Sequence, residues 1–298
     1  MRNCSVICYH RILPDVSNDL GTIEAYQYQR SILHSLEDFR KQLDLQQEKC
    51  TIVDAETFLE CRNGKKMSKP AILLSFDDGY EDFSTIVVPE LNLRQLPCVL
   101  FPTKAPVVSG FIPPADQVYA ILAADYRGQR HLTDAERKSW VEGEAKKKML
   151  SSSPDEQIKL IKGLSNVAGI SQPSEAPRHM NEEQIKQLPE TVYLGAHGLY
   201  HHEFGSLTTS ALNNELHEII EWVEILRPHQ RNGVWLAYPN GKADRDGKPN
   251  EVTNAVRLAG VDFAFTASFE LLNTDSSNLA IPRIFSKNGV DWLNCIWQ

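Results

Sequence analysis

The sequence predicts one α/β domain over residues 1–298, folded as a distorted (β/α) barrel of about seven strands with a helical insertion at residues 104–180. Short apolar runs rich in β-branched residues alternate with segments of helical period, which is typical of a parallel sheet wrapped by helices. Between residues 104 and 180 the alternation stops, and prolines separate several helical segments. We interpret this region as an insertion in the barrel; a separate small helical domain is the alternative.

The predicted strands cover residues 5–9, 71–76, 98–101, 192–196, 234–238, 263–266 and 279–284. The predicted helices cover residues 33–47, 55–61, 83–93, 134–150, 155–168, 182–188, 210–226 and 251–259. Terminal signals support several of the helices. Asp54 is a predicted N-cap, and Thr133 with Glu136 forms a predicted capping box. Gly260 follows the last helix, where a glycine commonly ends one.

The composition narrows the class of protein. A net charge of −8 argues against a nucleic-acid partner, because binding of phosphates requires a basic face. The six cysteines form no C-x-x-C pair, so we expect free thiols in a reducing compartment. The sequence shows no signal peptide and no apolar stretch of transmembrane length, so we expect a cytoplasmic protein. Nothing in the composition indicates the oligomeric state.

The first motif is L-S-F-D-D-G-Y at residues 74–80, where an apolar strand runs into two acids. Neighbouring carboxylates repel each other unless a cation lies between them, so the pair suggests one metal ligand and one proton acceptor. Adjacent strand residues point to opposite faces, and Asp77 and Asp78 therefore reach one site only if the chain turns at Gly79. The alternative is an ordinary surface turn after a strand.

The second motif is G-A-H-G-L-Y-H-H at residues 195–202, again after a predicted strand. His197 and His201 have the H-x-x-x-H spacing, which on a helical turn lets two imidazoles share one ion. Together with one carboxylate, this set would leave open positions on a metal for water and substrate, as hydrolysis requires. His202 is an alternative to His201, and loop histidines without any ion are the ordinary alternative.

Three further segments place polar residues at or in strands. The turn L-A-Y-P-N-G at residues 236–241 contains Tyr238, Pro239 and Asn240, and the backbone N–H of Asn240 is a candidate oxyanion donor. His10 ends the first predicted strand, where a barrel keeps its chemistry. Arg283 lies in an apolar strand and needs an anionic partner, either structural or catalytic.

Taken together, these motifs resemble the polysaccharide deacetylases, the NodB-homology domain of carbohydrate esterase family 4. The resemblance implies that Asp77 is the general base and that Asp78, His197 and His201 bind the metal. No late L-x-H motif supplies the usual catalytic acid. The opening V-I-C-Y-H-R-I-L-P-D is similar to the first strand of a circularly permuted subgroup that includes poly-N-acetylglucosamine deacetylases, which implies His10 as the acid.

By this resemblance the chain removes an N-acetyl group from an amino sugar in a polysaccharide or a cell-surface glycan precursor, with Zn²⁺ or another divalent transition metal as cofactor. A cytoplasmic location would favour a nucleotide-linked or lipid-linked precursor. The substrate-binding turn of the family corresponds to residues 237–240, with Tyr238 and Pro239 beside the donor Asn240.

Three residues depart from the pattern of the family. Ala237 stands where the family has the arginine that orients the base, and Arg283 is the candidate replacement. Gly198 stands in place of a Ser or Thr, and Asn240 in place of a Tyr. These departures keep two alternatives open: a catalytically silent sugar-binding protein, and a metal-independent amide hydrolase on the same fold.

Overall fold

A computed structural model describes residues 4–128, 130–171, 175–244, 250–267 and 276–294 of the chain. The strands within these residues are β1 Cys4–Tyr9, β2 Arg11–Leu13, β3 Leu33–Ser35, β4 Thr51–Ile52, β5 Ala71–Asp78, β6 Cys98–Pro102, β7 Val192–Leu194, β8 Trp235–Ala237, β9 Phe263–Ala267 and β10 Ile281–Phe285. The α-helices are α1 Ile23–Gln29, α2 Leu36–Lys49, α3 Ala55–Arg62, α4 Val88–Leu93, α5 Lys104–Ser109, α6 Pro114–Arg127, α7 Asp134–Val141, α8 Glu144–Ser151, α9 Pro154–Ala168, α10 Glu182–Lys186, α11 Thr209–Leu226 and α12 Glu251–Leu258.

Seven parallel strands form a nearly closed barrel, as the sequence predicts. Their order is β7-β6-β5-β1-β10-β9-β8, and the short β4 adds to β5 beside this path. A parallel bridge between Ala196 and Leu236 joins the two ends of the order. Two backbone hydrogen bonds of 2.9 and 2.8 Å connect Ala196 with Trp235 and Ala237 across this seam.

Alternate residues of the strands divide between two apolar cores. One set, which includes Val6, Leu73, Val99 and Phe265, packs in a single cluster inside the ring together with Phe58 of α3. The other set packs outward against the helices, where it belongs to the largest apolar cluster. Because the strands bury both faces, their sequences read as continuous apolar runs.

The segment between β6 and β7 contains α5 to α10. Buried residues of α6 to α9 form a third apolar cluster, to which Tyr26 of α1 also belongs. The prediction of one helix over residues 134–150 was wrong. The chain forms α7 and α8 instead, and a Cβ at Gly143 between them would lie 2.8 Å from the Ser139 Cα. The assignment of this segment as an insertion in a single domain stays a prediction.

Several local expectations are confirmed. Asp54 caps α3, and Thr133 with Glu136 forms the capping box of α7. The predicted helix at residues 33–47 begins instead with β3, and α2 starts only after its N-cap Ser35.

The described cysteines, Cys4, Cys8, Cys50, Cys61 and Cys98, are free and buried, whereas Cys295 lies outside the described residues. No described helix is both long and apolar enough to cross a lipid bilayer.

Candidate active site

The carboxyl ends of the barrel strands surround a cavity of about 640 Å³. Seven of the nine site residues predicted from the sequence line this cavity: His10, Asp77, Asp78, His197, His201, Asn240 and Arg283. They come from both halves of the chain and meet because the strands are parallel and end on the same side of the barrel. Tyr238 and Pro239 do not line it. Tyr238 is fully buried, and its hydroxyl donates to the Leu279 carbonyl at 2.9 Å.

The two neighbouring aspartates reach the same cavity because the chain turns between them. Asp78 has a φ of +71° and Gly79 a φ of +80°. A Cβ at Gly79 would lie 2.8 Å from the Pro102 Cβ. Glycine is therefore required both because a side chain would clash and because the φ is positive. The Thr103 N–H donates to the Asp78 carbonyl at 3.1 Å and fixes this turn. The D-D-G sequence therefore ends a strand and directs both carboxylates inward.

Asp78, His197 and His201 have the geometry of a metal centre. One ligand atom from each of the three side chains lies within 4.8 Å of the others. Asp78 Oδ1 is 3.2 Å from His201 Nε2 and 3.5 Å from His197 Nε2, yet this buried oxygen has no hydrogen-bond partner. An orphaned carboxylate oxygen between two imidazole nitrogens fits a shared cation. The residues present therefore fit the divalent metal that the sequence implies.

The protonation states of Asp78 and His197 agree with this donor set. Burial would lower the pKa of His201, but the Asp78 carboxylate outweighs it and raises this pKa, so binding of a metal displaces a proton from that ring. Burial raises the pKa of Asp78, but the neighbouring His201 outweighs it and holds the carboxyl well below its usual range. Burial lowers the pKa of His197 to about 4, so its ring is neutral. His197 Nδ1 lies 2.8 Å from the Ala237 carbonyl, which accepts only, so Nδ1 carries the hydrogen and Nε2 keeps a lone pair for a metal.

Neighbouring elements hold the loop that carries the two histidines. The Lys104 N–H donates to the Gly198 carbonyl at 3.1 Å, and the Leu199 N–H donates to Glu215 Oε1 at 2.8 Å. Gly198 has a φ of +85°, and a Cβ there would lie 3.1 Å from the same Glu215 oxygen. Glu215 thus fills the space next to Gly198, which is the position where the family has the hydroxyl of a Ser or Thr. His201 also has a positive φ, of +61°.

Asp77 forms a buried pair with Arg283. Two guanidinium nitrogens donate to the two carboxylate oxygens at 2.6 and 2.7 Å. The Cys8 thiol lies 3.3 Å from Asp77 Oδ2 and donates to it. Burial would raise the pKa of Asp77, but the Arg283 guanidinium outweighs it and lowers this pKa to about 2. Arg283 therefore contacts the carboxylate in the way expected of a replacement for the missing arginine.

Cys8, His10 and Asp77 form a second group whose potential ligand atoms lie within 4.8 Å of one another. This group does not fit a metal. The Asp77 oxygens are held by Arg283, and burial raises the pKa of the Cys8 thiol well above its usual range, so the thiol keeps its hydrogen. The same distances place His10 beside the aspartate. Burial also lowers the pKa of His10, and its Nδ1 has no hydrogen-bond partner.

The sequence analysis missed several polar residues of the cavity. Asp116 of α6 accepts hydrogen bonds from the Tyr80 hydroxyl and the Gln27 amide, both at 2.9 Å. Burial raises the pKa of Asp116 to about 6. Cys8 could have been identified from the sequence as a cavity residue. It lies two residues before His10, and residues two apart along an extended strand point to the same face. Asp116 could not have been identified in this way, because the helix that carries it was not predicted.

Comparisons with known proteins bear on the family and the fold of the chain. The family model described as polysaccharide deacetylase matches residues 64–264, which is more than half of the chain. No protein of curated function matches the sequence.

Solved structures share the fold over nearly the whole chain. The deacetylase PplD of Streptococcus pyogenes is 12% identical with a TM-score of 0.60, over 95% of this chain and 92% of that one. The deacetylase domain of BpsB from Bordetella bronchiseptica is 14% identical with a TM-score of 0.59, over 96% and 97%. IcaB of Ammonifex degensii is 15% identical with a TM-score of 0.54, over 96% and 93%.

Proposed function

Because this chain belongs to the polysaccharide deacetylase family, we propose that it hydrolyses the N-acetyl group of an amino sugar with a divalent metal held by Asp78, His197 and His201. One observation carries the proposal: a buried carboxylate oxygen without a partner lies between two imidazole nitrogens at the floor of the cavity. One carboxylate and two imidazoles are a zinc-type donor set that leaves positions open for reactants.

A bound ion of this type supplies acidification of a water molecule and polarisation of the acetyl carbonyl. Asp77 is ionised at neutral pH because Arg283 holds its pKa at about 2. It is therefore ready to accept the proton of the attacking water, and the two-point contact with Arg283 fixes the direction in which it accepts.

Two residues act on the substrate side of the reaction. The backbone N–H of Asn240 donates to the oxyanion that forms at the acetyl carbon, and one such donor contributes about 3 kcal/mol. His10 delivers a proton to the leaving amine. Because burial lowers the pKa of His10, its ring is neutral before the reaction. It therefore takes up the proton that Asp77 removed from the water and passes it to the amine. The cytoplasmic location and the identity of the sugar stay predictions.

The decisive experiment compares two isosteric changes at neighbouring positions. Asp78→Asn should lose the metal, measured by elemental analysis of purified protein, and with it acetate release from N-acetylated sugars. Asp77→Asn should retain the metal and lose acetate release. Normal turnover by Asp77→Asn would refute the base, and an unchanged metal content of Asp78→Asn would refute the ligand set.

Chelation separates the proposal from its alternatives. Dialysis against a chelator should abolish acetate release by the wild-type protein, and added zinc should restore it. A metal-independent hydrolase would keep its activity throughout. A silent sugar-binding protein would release no acetate under either condition while still binding N-acetylated sugar.

A further inference from the structure

The cavity extends from the catalytic floor to a wall built by the segment between β6 and β7. Lys146, Lys147 and Leu150 of α8 line this wall together with Tyr119 of α6. A volume of about 640 Å³ lies within the range of pockets that enclose a whole small molecule, so there is room beside the acetylated sugar.

The carboxylates lining the described part of the cavity lie against groups other than the lysines of α8. Asp77 is paired with Arg283, Asp78 lies against His201, and Glu203 accepts from Lys242 at 3.0 Å. Asp116 accepts from two neutral groups, as described above. None of these acids is paired with α8, so the positive charge of the α8 wall is not neutralised from inside the cavity.

The two lysines of the wall keep their charge available. Lys146 Nζ donates to the Tyr119 hydroxyl at 2.7 Å and lies 5.3 Å from its ring centroid, so its partner is neutral and further N–H groups remain. Lys147 pairs with Glu144 at 2.9 Å, but the two side chains are 70% and 87% exposed. Such an exposed pair is weak and yields easily to a ligand.

A third cation, Arg30, also lines the cavity, and its ion pair with Glu142 is long, at 3.6 Å. Glu142 and Glu144 do not line the cavity. The chain as a whole has a net charge of −8, so this positive wall does not follow from the overall composition. The positive charge that this wall presents to the cavity favours a negative ligand.

We propose, on the basis of the function proposed above, that the substrate carries a phosphate group next to its N-acetylated sugar, and that Lys146, Lys147 and Arg30 bind this phosphate. Lysine binds phosphate as a point charge, which suits a group held at the side of a wide cavity. The acetyl group then lies at the floor and the phosphate at the α8 wall. The substrate class is a glycosyl phosphate or a glycan phosphodiester.

The test measures equilibrium binding, because binding does not depend on turnover. The ligands are N-acetylglucosamine 1-phosphate and the neutral methyl N-acetylglucosaminide, each titrated calorimetrically into the metal-loaded protein. We expect the phosphorylated sugar to bind ~10-fold more tightly at low salt, and this preference to shrink as salt is added. Equal affinities, or a preference that salt does not change, would overturn the proposal.

Matched variants locate the effect on the wall. Lys146→Gln/Lys147→Gln should remove most of the difference between the two affinities, with the remainder due to Arg30, and Lys147→Gln alone, at an exposed position, should reduce it partly. Lys148→Gln is the control, since Lys148 is exposed on the same helix but does not line the cavity. If Lys148→Gln reduces the difference as much as Lys147→Gln, the wall has no specific role.

The same sugars separate this proposal from the function on which it rests. Phosphate-selective binding without acetate release from either sugar would refute the deacetylase and keep the cationic wall. Acetate release with equal affinity for both sugars would keep the deacetylase and refute the wall. UDP-N-acetylglucosamine distinguishes two sources of the phosphate: tighter binding than the sugar phosphate indicates a nucleotide carrier, and weaker binding indicates a carrier without a nucleoside.

Discussion

Replacement of Arg283 by methionine tests how the base of the site is held. The guanidinium is 1% exposed and makes two charged hydrogen bonds, of 2.6 and 2.7 Å, to Asp77. Loss of one partner leaves the other charge buried and uncompensated, which costs about 3–5 kcal/mol in the free energy of unfolding. Urea unfolding at pH 7, followed by circular dichroism, measures this cost. Arg257→Met, an exposed arginine on α12, is the control and should change stability by less than about 0.5 kcal/mol.

A double-mutant cycle with Asp77→Asn completes the experiment. The two changes together should cost less than the sum of the single changes, because each single variant already breaks the same pair. The pKa of Asp77 is about 2 in the folded protein against 3.8 for a free side chain, so its contribution to stability is present above about pH 4 and is lost as the pH falls toward 2. Additive costs, or a cost below about 1 kcal/mol for Arg283→Met, would show that the pair contributes little.

Three further changes test other parts of the site. His10→Ala should lower acetate release on the order of a hundredfold or more while the metal content stays unchanged, and an unchanged rate would remove His10 as the acid. Burial raises the pKa of Glu215 from 4.5 to about 7, so the folded state holds this proton more tightly and the wild type loses stability as the pH rises across that interval. Glu215→Gln should remove this loss in unfolding experiments from pH 4 to 8; the same slope in both proteins would contradict the assignment. Gly198→Ser should cost about 1–2 kcal/mol, because the residue has a left-handed φ and a Cβ would lie 3.0 Å from the Pro239 Cγ. Equal urea midpoints for Gly198→Ser and the wild type would contradict this estimate.

The barrel and the floor of its cavity could be predicted because their signals are local. The strands that bury both faces read as apolar runs, and the paired acids and the spaced histidines follow such runs directly. Parallel strands bring their carboxyl ends together whatever the connections between them. Topology therefore brings together the segments that carry residues 77, 78, 197 and 201, and the turn at Gly79 directs both acids inward.

The remaining features depend on contacts between distant parts of the chain. The pairing of Arg283 with Asp77 requires β10 and β5 to flank β1, and no sequence pattern states that order. Helix α6 begins at consecutive prolines, and its residues 118–124 form a continuous apolar run that does not indicate a helical face. Its Asp116 was consequently missed, as was the separation of α7 from α8 at Gly143. The wall formed by Lys146 and Lys147 could not be predicted either, because position on a helix does not show what the helix packs against.

The left-handed conformations of Asp78 and His201 have a consequence for engineering of this protein. A residue with a Cβ at such a φ is strained by roughly 1–2 kcal/mol, and glycine would relieve that strain at either position. Substitutions chosen for thermal stability alone would therefore favour glycine at both positions and would remove two of the three proposed metal ligands at once. A more heat-resistant version of the barrel should be sought in the surface helices, with positions 78 and 201 left as they are.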